Sequence, residues 1–200
     1  DADPLDGFDV SRETMARLMT YRDLLGKWTA KINLVSRASL ADAWTRHFAD
    51  SLQLLDLAPL GSGSWVDLGS GAGFPGLVVA IARPEARVVL VESDTRKAVF
   101  LREVAAATGA SPIIHEARIE ALAPLGAAIL SARALAPMGT LLAHAEKHRA
   151  PGGSCLFPKG VAVHKEIREA ERGWRFDYRI HPSRTDPQAA IVEIGALARA

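Results

Sequence analysis

Three glycines at alternate positions, set behind an apolar run and a carboxylate, constrain this chain more than anything else in it. The stretch is Ser64-Trp65-Val66-Asp67-Leu68-Gly69-Ser70-Gly71-Ala72-Gly73-Phe74-Pro75-Gly76-Leu77. Its apolar start predicts a strand. Pro75 and the Leu/Val/Ala/Ile run behind it predict a helix start. A strand that feeds a glycine turn and then a helix N-terminus places a bound ligand beside exposed backbone N–H groups. Glycine suits such a turn because it has no side chain to block close approach and because φ is often positive there.

The remaining chain alternates in the same way. Arg87–Glu92, Pro112–His115, Ala127–Ser131 and Ser154–Phe157 read as strands. Helices are expected over Asp94–Thr108 (closed by Gly109), Pro137–Arg149 and Val163–Arg172, with Pro151-Gly152-Gly153 as a break. Trp174–Ile180 and Ala190–Leu197 read as a closing antiparallel pair. Such alternation implies a doubly wound α/β fold, with a mostly parallel sheet and ligands at the C-terminal strand edge. Before it lies an all-helical stretch of a different kind. Residues 1–9 are expected to fray. Ser11 is a plausible N-cap for a helix carrying Leu18, Tyr21, Leu25 and Trp28 on one face. Ser39 with Asp42 resembles a capping box for a second helix running to about Leu57. Pro59–Gly63 reads as the link, so residues 1–60 form a helical extension and 61–200 the α/β domain.

Composition sets wide bounds. At 200 residues and 48% hydrophobic the chain can bury a substantial core, and its net charge of +1 neither demands nor excludes a nucleic-acid partner. The last sixty residues are mildly basic, with ten Lys/Arg against seven acids. No apolar run approaches the roughly 20 residues of a membrane span. No N-terminal stretch reads as a secretory leader. The single cysteine, Cys155, fits a reducing cytoplasm and sits inside an expected strand as a small buried hydrophobe. The six histidines show no metal-ligand spacing.

Two cofactors could use the turn. Gly71-Ala72-Gly73-Phe74-Pro75-Gly76 fits a dinucleotide fingerprint. The longer pattern Asp67-x-Gly69-x-Gly71-x-Gly73 resembles the glycine motif of class I S-adenosylmethionine methyltransferases. Glu92, ending the next strand, would take ribose hydroxyls in either case. Arg118 and Arg133 follow the third and fourth strands and favour an anion or a base. The fourth-strand end lacks the Asn/Asp-Pro-Pro-aromatic motif of amine methylation and the Pro-Cys nucleophile of cytosine C5 methylation. Guanine N7, which carries no proton to remove, fits what is left.

Further motifs fall in a fixed order. Trp28…Asn33-Leu34 and His47-x-x-Asp50-Ser51 precede the glycine turn with its Phe74-Pro75-Gly76. Lys97…Phe100-Leu101, Arg118-x-Glu120, Ala132-Arg133-Ala134 and Lys159-Gly160 follow it. Over residues 15–165 the chain resembles the RsmG (GidB) family of bacterial 16S rRNA guanine-N7 methyltransferases. The resemblance implies a class I S-adenosylmethionine-dependent methyltransferase fold, Rossmann-like with a mostly parallel seven-stranded sheet, and an N-terminal helical extension. It implies action on small-subunit rRNA or the ribosomal subunit; with the cysteine and histidine readings above, a cytoplasmic monomer without metal is expected. Gly69, Phe74, Ile119, Glu120 and Arg133 would line the cofactor site, joined by Asp67, Gly71, Gly73 and Glu92. Arg118 and Arg133 would be catalytic, and these two with Lys159 would face RNA. Many members carry a basic residue before the last strand, where this chain has Gln188-Ala189-Ala190; Arg184 is the expected substitute. His47 is expected to join the extension to the sheet through Asp50 or Ser51. The alternatives on the residues alone are a small-molecule methyltransferase, an NAD-dependent oxidoreductase and a non-catalytic RNA-binding module.

Overall fold

The computed structural model describes residues 5–58 and 63–200. Its seven strands form one sheet in the order β3-β2-β1-β4-β5-β7-β6. These are β1 Trp65–Leu68, β2 Val88–Glu92, β3 Ile113–Glu116, β4 Ala127–Ser131, β5 Arg149–Lys159, β6 Trp174–Pro182 and β7 Ala190–Arg199. The pairs from β3 through β5 are parallel, and β7 runs antiparallel to both of its neighbours. Every residue of β1 and β2 is buried, as central parallel strands covered on both faces require.

One face carries α1 (Arg12–Thr29), α2 (Arg37–Ala41), the single turn α3 (Asp50–Leu52), α4 (Gly76–Ala82) and α5 (Thr95–Thr108). The other carries α6 (Met138–His148) and α7 (Val163–Ala170). Ser11 caps α1 as expected, its hydroxyl accepting from Thr14 N. Leu18, Tyr21 and Leu25 are buried in one apolar cluster with Leu77, Phe100 and Leu101. The helical segment therefore shares its core with the sheet's first face. The expected break at Pro59–Gly63 lies, except for Gly63, outside the described residues.

Three expectations need correction. The second helix is not continuous from Ser39 to Leu57. Ser36 caps α2, and Asp42 leaves helical geometry at φ −112°, ψ 39°. A wider π-helical turn then runs over Trp44–Ala49. Apolar spacing cannot reveal this, because Leu40, Trp44 and Leu52 keep near-helical intervals through it. Second, Pro151-Gly152-Gly153 is not the break between helix and strand: α6 ends at His148 and these residues already lie within β5. They form a bulge, with Ala127 opposite Arg149 and Ile129 already opposite Ser154. Gly153 is needed there, since a Cβ would lie 2.6 Å from Ala127 O. Third, residues 5–8 are not frayed. Leu5 is 1% exposed, and the Gly7 carbonyl accepts from Arg184 Nη2 at 2.6 Å.

Candidate active site

Beyond β1 the chain turns through Gly69 (φ +65°), Gly71 (φ +56°) and Gly73 (φ +95°), all in the left-handed region that favours glycine. The turn is pinned to its neighbours. Ser70 N donates to Val91 O at 3.0 Å, and Gly73 N to Ser70 O at 2.7 Å. The Glu92 carboxylate, nearly buried at the end of β2, accepts from Gly71 N at 2.7 Å and from Asp94 N at 2.8 Å. These groups border a cavity of about 530 Å³, within the usual size for a cofactor site. Gly69, Gly71, Phe74, Glu92, Ile119, Glu120, Arg118 and Arg133, all expected at the site, line it. Lys97, Thr140 and His144 line it as well.

Two expected cofactor residues lie elsewhere. Asp67 is fully buried beneath the turn. It accepts from Ser131 Oγ at 2.7 Å and from Gly76 N at 3.3 Å. Burial pushes its carboxyl up to about 6, against those hydrogen bonds. Gly73 faces α1. A Cβ there would sit 2.3 Å from the Tyr21 hydroxyl, which donates to Ala72 O at 2.5 Å. Asp67 and Gly73 thus shape the turn from behind and do not line its cavity.

A second cavity, of about 640 Å³, adjoins the first. Arg133, Ala134, Leu135 and Ala136 line both, so this segment is the wall between them. Ala134 sits at φ +52°, a conformation rarely adopted by a residue with a Cβ and one that collects at functional sites. Arg133 is fixed by the helical segment. Its Nη1 donates to Arg46 O at 3.0 Å and to Asp50 Oδ2 at 3.1 Å. Its Nη2 lies 3.0 Å from His47 Nδ1, and its guanidinium stands 5.1 Å over the Phe74 ring. The π turn carries Arg46 and His47 and delivers the chain to Asp50, so all three partners come from within five residues. His47 does join the extension to the sheet, but through Arg133; Ser51 Oγ merely donates to its carbonyl at 2.6 Å. Burial and the Arg133 charge lower its imidazole to about 4, leaving Nδ1 free of a proton to accept from the guanidinium.

Lys159 lines the second cavity but is not an open cation. Its Nζ donates to Ala136 O at 2.9 Å and to Glu166 Oε2 at 2.7 Å, and its side chain is 9% exposed. Arg184 is not in either cavity. It spans Asp56 Oδ2 at 2.8 Å and Gly7 O, and stacks 4.1 Å from the Phe8 ring centroid, so it latches the β6–β7 loop to the N-terminal segment. Gln53 supports the same latch, accepting from Arg184 N at 2.8 Å and donating to Ser183 Oγ at 3.2 Å. Arg118 is exposed on the lip of the first cavity only. Sequence reasoning missed Glu166, Thr185 and the pairing of Asp50 with Arg133. No local pattern links partners so far apart. Burial pushes the Cys155 thiol up to about 12, in keeping with its reading as a small hydrophobe. Among the described residues no group of three or more His, Cys, Asp or Glu could hold a metal ion.

A family model described as "rRNA small subunit methyltransferase G" matches residues 14–189. The chain belongs to that family, GidB. A GidB relative from Rhodospirillum centenum is 52% identical over 192 residues, covering 96% of this chain and 88% of its own length. Another, from Ruegeria pomeroyi, is 49% identical over 195 residues, covering 96% and 95%. Both are named ribosomal RNA small subunit methyltransferase G. Among solved structures, a TehB-like SAM-dependent methyltransferase from Corynebacterium glutamicum superposes with a TM-score of 0.59 at 13% identity, covering 89% of this chain and 98% of that one. The GidB chain thus has the class I methyltransferase fold that its strand order describes.

Proposed function

We propose that this GidB member transfers a methyl group from S-adenosylmethionine to N7 of a guanine in small-subunit (16S) rRNA. The observation that carries this reading is the wall shared by the two cavities: Arg133, Ala134, Leu135 and Ala136 contain no side-chain proton acceptor. An acceptor atom that must lose a proton normally needs one within hydrogen-bond reach. Guanine N7 does not. Of the imidazoles nearby, His47 has its Nδ1 turned to Arg133, and His144 has its Nε2 3.8 Å from Glu120 Oε1.

The first cavity fits S-adenosylmethionine better than a dinucleotide. Gly71 N–H already donates to Glu92, so a pyrophosphate on the turn would meet a carboxylate. Glu92 keeps further lone pairs for a ribose diol, because a carboxylate has about four acceptor sites and only two are in use. When bound, S-adenosylmethionine supplies an electrophilic sulfonium methyl. The chain's part is alignment. Glu92, Gly69 and Gly71 hold the donor's side of the wall, with Ile119 and Glu120 along the adjoining strand end. Arg133 fixes the wall, and the exposed Arg118 meets the RNA. The same reading has the enzyme working in the cytoplasm as a monomer that needs no metal ion.

The test is incubation of the protein and labelled S-adenosylmethionine, with a chelator present, against separated ribosomal subunits and RNAs, followed by nucleoside analysis. Label is expected in 7-methylguanosine of small-subunit RNA. Label in another base, or turnover that needs no RNA, overturns the reading.

A further inference from the structure

The second cavity is an odd place to receive RNA by charge. Four carboxylates line it (Asp42, Asp50, Glu166 and Asp186) against Arg46, Arg133 and Lys159. Two of those cations are already matched, Arg133 by Asp50 and Lys159 by Glu166. An approaching phosphate would find little free positive charge at its depth. A base would find apolar surface in Leu135, Pro158, Pro187 and Ile191, and an edge of fixed polar atoms.

That edge is the Lys159–Glu166 pair. Each partner is locked by the backbone next to the shared wall. Lys159 Nζ donates to Ala136 O, and Glu166 Oε2 accepts from Met138 N at 3.0 Å as well as from Lys159. An ammonium has three N–H donors, of which two are placed. Glu166 Oε1 accepts nothing from the described residues. The pair therefore offers one donor and one acceptor side by side.

We propose that Lys159 and Glu166 read the O6/N1–H edge of the acceptor guanine, Lys159 donating to O6 and Glu166 accepting from N1–H. This rests on the guanine-N7 reading above and adds how the base is chosen. O6 lies between N1 and N7 on the purine, so a grip on O6 and N1–H leaves N7 next in line, toward the wall that both cavities share. Adenine presents the reverse order, an amine to the ammonium and a bare ring nitrogen to the carboxylate. Both of its contacts are mismatched, and a buried polar pair left unpaired rejects strongly. Lys159 is thus a base contact and not a phosphate contact, and Glu166 becomes a specificity-determining residue.

The experiment uses the intact protein and reconstituted small-subunit RNA carrying guanosine, inosine or 2-aminopurine at the acceptor position. Inosine keeps O6 and N1–H and lacks the 2-amino group. 2-Aminopurine keeps the 2-amino group and N7 and lacks both contacts. Rates are normalised to N7 alkylation of each RNA by dimethyl sulfate. Inosine is expected within about fivefold of guanosine, and 2-aminopurine at least about 100-fold slower, the scale for two lost hydrogen bonds to charged groups. Glu166→Gln should slow guanosine and shrink its advantage over 2-aminopurine to below about tenfold, while the Kd for S-adenosylmethionine changes by less than about twofold. Failure of inosine with retention of 2-aminopurine overturns the proposal, because the 2-amino edge would then be what is read. So does a Glu166→Gln enzyme that is slow on both acceptors with its preference intact, the mark of a merely structural residue. The analogue series runs on the unmutated protein, so it stands even where a variant fails to fold. Absence of 7-methylguanosine from the guanosine reaction overturns the underlying reading instead.

Discussion

The cofactor cavity is organised around one stretch of consecutive backbone, Gly69 to Phe74, with Glu92 supplied by the neighbouring strand and residues 117–120 and 133–136 closing it. The acceptor cavity is made from side chains of five distant stretches, held by ion pairs and by the Arg184 and Gln53 latch. The turn at the centre of the first is pinned mainly by backbone hydrogen bonds, to itself and to β2. The second exists only once the whole chain has closed. In one cavity a carboxylate, Glu92, is fixed by peptide N–H groups of the turn; in the other, charged heads are fixed by one another.

The sharpest test of that contrast lies within the glycine turn itself. Gly73→Ala is expected to cost about 3 kcal/mol in stability, combining a positive φ with overpacking against the Tyr21 hydroxyl. Gly71→Ala, whose Cβ would meet nothing nearer than Gly69 O at 3.8 Å, should cost only about 1 kcal/mol of stability. Its loss should appear in S-adenosylmethionine affinity. Urea unfolding and calorimetric titration separate the two, and equal stability losses would break the distinction between a glycine that packs and a glycine that faces ligand.

For the acceptor cavity the matching test is a double-mutant cycle. Asp50→Asn leaves the Arg133 guanidinium without its anion, and about 1–2 kcal/mol of destabilisation is expected. Arg133→Met in that background should cost less than it does alone, because the two residues act as a unit. Additive losses in chemical denaturation would mean that the pair does not hold this wall.

The smallest effect is a pH dependence in which two buried groups, His47 and Asp67, oppose each other. His47 titrates near 4 in the folded chain, below its ordinary 6.5, so the unfolded chain binds more protons between those values. Its contribution to stability is present above pH 6.5 and is lost as pH falls toward 4. Asp67, raised from 3.8 to about 6, does the reverse: the folded chain holds its proton, and stability falls as pH rises from 4 to 6. The unmodified protein should therefore show a shallow profile from pH 4 to 6.5. Asp67→Asn should unmask a stability that climbs with pH, and His47→Gln one that declines. Parallel profiles for all three proteins would remove both groups from the account.

How far the sequence carries a reader follows the same division. The strands β1, β2 and β4 are legible because buried parallel strands are short apolar runs, and Gly69, Gly71 and Glu92 because a ligand turn must spend glycines and an acid in a fixed order. Asp67 and Gly73 belong to the same motif, yet the motif does not say which members face the ligand and which support the turn. That depends on Tyr21, 51 residues before Ala72, whose carbonyl accepts from the Tyr21 hydroxyl. The acceptor side is less legible still. Arg133 finds Asp50 across 83 positions and Arg184 finds Gln53 across 131, and neither pairing leaves a periodic trace. Lys159 and Arg184 each read as a cation available to RNA, when the fold gives both an internal partner. The π turn hides for a related reason: it alters where carbonyls point without disturbing the apolar spacing.

The latch at Arg184 has a consequence for the order in which the enzyme is born. Synthesis delivers the glycine turn and its supporting helices by about residue 108, some seventy-five residues before the far wall of the second cavity, Ser183 to Ile191. Until β6 and β7 pair and Arg184 reaches Asp56 and Gly7, a growing chain has the glycine turn of the first cavity and lacks the far wall of the second. A polypeptide whose proposed target is ribosomal RNA is made while tethered to a ribosome, at high local concentration of that RNA. On the proposed function, a chain in that state lacks the pocket for its acceptor base however much RNA surrounds it.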